Sequence, residues 1–363
     1  MTRHGKTHSV SSETVRCALK ILESDGAVGI ARVAENVLSR PAERRAKPHL
    51  PVMRFIVDTR LRAKHGASRP VPSRKGIGSG LCRGIDPVEH RRIAMLTMKW
   101  EELTARDFPK AVKKARAVCI VPLGCLEKHG EHLPTGTDLF QARAVAKAAV
   151  AIEPAVIFPS YYLTQIQCGK HQPGAVALPG RLITELLEGV CDEIARNGLD
   201  KIILLNGHGG NENWLAYASW MMAHDPRHAF TVYVARLGDY WANDVTPQYA
   251  KRKQSKVDGH GGEKETSLML AVRPDVVRMA DIGQPGNPLG RVKHLPLFTP
   301  HSWYANQPGH YKGDGSYGTA EKGKVLLAEL SRNVATIIRA VKRDTVAPRL
   351  RQEFLRKAER PVK

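Results

Sequence analysis

The chain is predicted to fold as a three-layer α/β/α sandwich on a mostly parallel sheet, with a basic, poorly ordered extension at its N-terminus. Three observations lead there. From about residue 98 onward, short apolar, β-branched runs alternate with longer amphipathic segments, as in successive strand–helix units. The strongest runs are apolar throughout, as in strands covered on both faces. Two of them, Val118–Val121 and Lys201–Asn206, lead straight into glycine-rich loops crowded with imidazoles and carboxylates.

In order along the chain, residues 1–97 form the basic extension, 98–345 the α/β/α domain and 346–363 a basic C-terminal tail. Within the extension, Glu13–Glu23 follows Ser11-Ser12 as a helix follows its N-cap, and Ile30–Leu38 has a second helical pattern. Residues 41–92 are rich in Arg, Pro, Gly and Ser and are expected to be disordered. Lys75-Gly-Ile-Gly-Ser-Gly80 resembles a phosphate loop, but no strand precedes it and no helix follows. Met98-Lys-Trp-Glu-Glu-Leu103 reads well as a chain start. Strands are then expected at Val118–Val121, ending at Pro122, and at Ala155–Phe158, Lys201–Asn206 and Thr231–Ala235. Helices are expected at Leu139–Ile152, Arg181–Asn197 with Gly198 as its cap, Trp214–His224, Glu263–Val272 and Ala320–Val341.

Composition narrows the class. The 363 residues carry a formal net charge of +21. Residues 1–97 hold 19 Lys/Arg against 8 Asp/Glu, and the other 266 hold 37 against 27, so the excess is concentrated in the extension. Basic excess serves solubility as well as phosphate binding, and nucleic acid is not the expected partner. Six cysteines without a Cys-x-x-Cys pair argue for buried thiols in a reducing compartment. With no apolar run of 18 residues and no secretory signal, a cytoplasmic protein without membrane attachment is expected.

Chemistry concentrates in three loops. Pro122–Asp138 holds Glu127, His129, Glu131, His132 and Asp138; Asn206–Asn211 holds His208; Asp258–Ser267 holds His260, Glu263 and Glu265. Glu127, His129, Asp138, His208 and Glu263 together offer two imidazoles and three carboxylates, a set that suits Zn²⁺, Mn²⁺ or Fe²⁺. Five such ligands with one bridging carboxylate suffice for two divalent ions, which bring the pKa of a shared water to near ~7. Glu263 and Glu265 lie two apart in a helical first turn, so they point roughly 200° apart and only one can face the ions.

The segments PLGCLEKHGEHLPTGTD, NGHGGN and DGHGGEKETS, in this order, resemble the signature regions of the creatininase (creatinine amidohydrolase) family, and GDGSYGTAEKGK resembles its closing segment. The resemblance covers about Met98 to Val341. It implies an α/β/α hydrolase that cleaves a small cyclic or linear amide with hydroxide generated at two divalent metal ions, and a homo-oligomer, commonly a hexamer. It further implies that Glu127 and His208 hold one ion and His129 the other, that Asp138 bridges, and that His260 shuttles protons. Members that open creatinine carry Glu where this chain has Gly210, so the fifth ligand is expected at Glu263 and creatinine itself is not favoured. Cys125 stands where Ser is usual. A branch of the family trims a precursor peptide, which is the alternative activity. His171 and Trp303 are expected to line the substrate pocket, and His132 to orient a ligand.

Overall fold

In the computed structural model, residues 96–236 and 246–362 are described. Four apolar runs form one parallel sheet: β1 (Val118–Leu123), β2 (Val156–Ile157), β3 (Lys201–Asn206) and β4 (Thr231–Arg236), in the order β2-β1-β3-β4. Every residue of β1 is buried, as its uninterrupted apolar run requires. The register pairs Val118 with Lys201 and Leu123 with Asn206, which brings the carboxyl ends of β1 and β3 side by side. The chain turns from β1 toward β2 on one side and extends from β3 to β4 on the other, so these two ends flank the topological switch point.

The helices are α1 (Phe108–Ala115), α2 (Thr137–Ile152), α3 (Gly180–Arg196), α4 (Glu212–His224), the single turn α5 (Pro247–Ala250), α6 (Glu263–Val272), the short α7 (Ser302–Asn306), α8 (Ala320–Arg343) and α9 (Val346–Glu359). Right-handed crossovers put α2 on one face and α3 and α4 on the other. Helix α8 packs on α2 and α6, completing the first layer with Leu326, Leu330, Val334 and Ile338 fully buried. Leu187, Cys191 and Ile194 of α3 and Leu215, Ala218 and Met222 of α4 fill the opposite side of the core.

The predicted elements recur with boundaries shifted by at most one or two residues, and α1, α5 and α7 are added to them. Three points bear on the architecture. Strand β1 runs through Pro122, whose carbonyl accepts from Tyr161 N at 2.9 Å beyond the end of β2, where no strand neighbour needs its missing N–H. Helix α2 starts at Thr137, so Asp138 sits in its first turn rather than in the loop. The basic tail expected at 346–363 contains α9. It is anchored by Arg351, which donates to the carbonyls of Asp225 (2.7 Å) and His228 (2.8 Å) at the end of α4. The expected extension, with its helical patterns and the loop at 75–80, lies outside the described residues apart from Leu96 and Thr97. Among the described residues no helix is long and apolar enough to cross a membrane.

Candidate metal centre

The site is assembled at the carboxyl ends of β1 and β3. Glu127 and His129 come from the loop after β1, Asp138 from the first turn of α2, His208 from the turn after β3 and Glu265 from the first turn of α6. Asp138 benefits from the positive end of its helix. The two loops reach it because Gly124 has no side chain: a Cβ there would lie 2.8 Å from Leu139 N. A Cβ on Gly210 would lie 2.4 Å from His208 Nε2, so a side chain there requires the imidazole to shift.

Three carboxylates converge here. Asp138 faces two imidazoles, Oδ1 lying 3.1 Å from His129 Nε2 and Oδ2 3.1 Å from His208 Nδ1. Glu127 Oε1 lies 2.7 Å from His208 Nδ1, yet off the hydrogen-bond direction, and has no hydrogen-bond partner although buried. Glu265 Oε2 lies 3.6 Å from His129 Nε2 and accepts from Gly261 N at 2.6 Å. Burying this much like charge costs several kcal/mol unless cations balance it. An acceptor left without a donor, in a nest of carboxylates and imidazole nitrogens, fits a divalent cation.

Hydrogen bonds assign the rings. His129 Nδ1 donates to the Glu127 carbonyl at 3.2 Å, which leaves the lone pair of Nε2 toward Asp138 and Glu265, the arrangement of a metal-ligating histidine. His260 Nε2 donates to the Lys128 carbonyl at 2.6 Å, so its basic nitrogen is Nδ1. Burial disfavours the charged form of His260 and keeps it neutral, stacked on His129 with ring centroids 4.0 Å apart. Trp303 Nε1 donates to His310 Nδ1 at 2.9 Å, and His310 Nε2 in turn donates to Glu127 Oε2 at 2.8 Å. His310 has a left-handed backbone (φ 54°), a strained conformation for a non-glycine residue that aims its ring at Glu127.

Five of the expected residues meet at the cluster: Glu127, His129, Asp138, His208 and His260. Glu263 does not. Its carboxylate turns away, pairing with Lys322 Nζ at 2.7 Å and accepting from Gln254 N and Ser255 N at 3.0 and 2.6 Å. The helix offers one of its two acids to the cluster, and that acid is Glu265. Trp303 stands edge-on to His260 at 5.4 Å, while His171 is exposed at the rim, donating to the Pro308 carbonyl at 3.0 Å. His132 touches no member of the cluster; it donates to Thr266 Oγ1 at 2.9 Å and ties the first loop to α6. His310 had no local signal beyond its histidine in a Pro-Gly-His turn, because its role depends on a contact 183 residues away in sequence.

Residues 101–338 match the profile of the creatininase family, described as creatinine amidohydrolase. A creatinine amidohydrolase of Pseudomonas putida is 29% identical over 66% of this chain and 95% of its own length. A mycofactocin precursor peptide peptidase of Mycolicibacterium smegmatis (strain ATCC 700084 / mc(2)155) is 30% identical over 61% of this chain and 83% of its own. A solved creatininase variant of Zn-Zn type superimposes with a TM-score of 0.59 at 25% identity, covering 68% of this chain and 99% of the other. With the family's profile spanning well over half its length, its parallel sheet and its site at the strand ends, the chain belongs to the creatininase family of hydrolases.

Proposed function

We propose that the chain is a dinuclear metal-dependent amidohydrolase that cleaves the carbon–nitrogen bond of a small cyclic or linear amide. One observation carries this reading: the buried Asp138 presents its two oxygens to two different imidazoles, His129 and His208. Glu127 and His208 would hold one ion, His129 and Glu265 the other, with Asp138 shared. Solved creatininases of Zn-Zn type and with Mn support Zn²⁺ or Mn²⁺ alike, and Fe²⁺ suits the same nitrogen and oxygen donors. Divalent ions at such a centre polarise a carbonyl oxygen and bring the pKa of water to near ~7.

The chain's own groups supply the rest. His260, neutral and with Nδ1 free to accept, takes a proton from the attacking water and returns it to the departing nitrogen. His310 fixes the Glu127 carboxylate from the side away from His208. Trp303 backs His310 and His260, and His171 stands at the rim where a substrate enters.

The precursor-peptide peptidase relative, 30% identical, supports a second reading, peptide trimming. Gly210 leaves the position without the acid of members that open creatinine, which weighs against creatinine itself as substrate. A nucleic-acid role for residues 1–97 rests almost wholly outside the described residues. We place the enzyme in the cytoplasm as a homo-oligomer, with a hexamer as the family expectation. In support, Cys119, Cys125, Cys168 and Cys191 are free thiols, and the exposed Tyr217, Trp220 and Phe298 offer apolar surface for contact between copies.

The test is hydrolysis by purified protein of a panel of cyclic amides, linear amides and short peptides, with and without Zn²⁺ or Mn²⁺. Metal-dependent cleavage of a non-peptide amide is expected. Cleavage of peptides alone moves the assignment to the second reading, and metal-loaded protein that cleaves none of them overturns both.

A further inference from the structure

We propose that Cys125 is an additional ligand of the ion held by Glu127, Asp138 and His208, and that it biases this position toward zinc. The inference rests on the dinuclear reading above. Cys125 Sγ, a carboxylate oxygen from each of Glu127 and Asp138 and a ring nitrogen of His208 all lie within 4.8 Å of one another, and all four residues are buried. The thiol sits two residues before Glu127, on the loop that Gly124 presses against the start of α2. Its sulfur is 3.4 Å from Asp138 Oδ2. Beside these atoms Glu127 Oε1, 2.7 Å from His208 Nδ1, is a buried acceptor without a hydrogen-bond donor.

The competing role is a hydrogen bond from the thiol to Asp138. A serine hydroxyl would serve that role equally well, but it would not serve as a soft ligand. Thiolate ligands favour zinc, whereas all-oxygen-and-nitrogen sites accept manganese. On ligation the S–H bond gives way to a sulfur–metal bond and the proton leaves to solvent, with no change of oxidation state.

Cobalt(II) loading of the wild type and of Cys125→Ser tests this. A thiolate-to-cobalt charge-transfer band in the near ultraviolet is expected in the wild type. It should vanish in Cys125→Ser, which still binds two equivalents. The zinc-over-manganese preference of the variant, from chelator competition, should fall by at least about tenfold. Two cobalt ions bound without the band would overturn Cys125 as a ligand and leave the dinuclear reading standing. Protein that binds neither cobalt nor zinc would overturn the dinuclear reading and this inference with it. Should Cys125→Ser fail to fold, X-ray absorption on the zinc-loaded wild type decides: sulfur in the zinc shell upholds the inference, nitrogen and oxygen alone refute it.

Discussion

Glu263 and Glu265 divide their work by the geometry of one helical turn. Glu265 faces His129 and Asp138, while Glu263 holds Lys322 on the other side of α6. Glu265→Gln should therefore lose about one equivalent of metal and most activity with little change in stability. Glu263→Gln should keep its metal and lose about 1–3 kcal/mol, because the buried Lys322 ammonium loses its charged partner. Metal analysis paired with urea denaturation separates the two variants; the reverse pattern would contradict the assignment. Glu263 also sets an acid limit. Burial alone would raise its pKa, but Lys322 and the amides of Gln254 and Ser255 outweigh it and hold the carboxyl below its ordinary range. A folded pKa below the unfolded one stabilises above the unfolded value, ~4.3, and that contribution is lost as pH falls through the folded value. Chelator-treated wild type should thus lose stability more steeply below about pH 4.5 than chelator-treated Glu263→Gln. Equal slopes would count against the pairing. The sequence shows that only one acid faces the metals, from the 100° step of a helix. It does not show which, because the rotation of α6 is set by Lys322, 59 residues further along.

Elements were legible where their apolar pattern is self-sufficient. Strand β3 and helix α6 begin and end where the sequence places them, since a buried run marks its own ends and the helix is bracketed by Gly261-Gly262 and Pro274. Helix α9 was not legible: it buries no side chain fully, its composition is basic, and its hold comes from Arg351 reaching two carbonyls after α4 and from Phe354 packing on His224. Close approach between helices is equally hidden. Helices α6 and α8 meet so tightly that a Cβ on Gly323 would lie 1.9 Å from the Ser267 carbonyl oxygen. Gly323→Ala must push the helices apart and should cost about 1–3 kcal/mol, lowering the melting temperature by several degrees. An unchanged melting temperature would show that the contact relaxes freely.

At the scale of the whole molecule, the strand order places the ends of β1 and β3 at the switch point, and four of the five proposed ligands come from the segments that follow them. The fifth, Glu265, arrives on α6, which α8 fixes against α2. Asp138 lies where these contributions converge, each of its oxygens 3.1 Å from a different imidazole, whereas Glu127 approaches both with the single atom Oε1, at 2.7 Å from His208 and 3.9 Å from His129. Removing it takes one ligand from each ion. The central claim is therefore tested most directly by elemental analysis of the purified wild type and of Asp138→Ala, both checked for native circular dichroism. The wild type should hold about two equivalents of divalent metal per chain and Asp138→Ala close to none. A folded Asp138→Ala that keeps near-wild-type metal would contradict the shared carboxylate, and with it the dinuclear centre as built here.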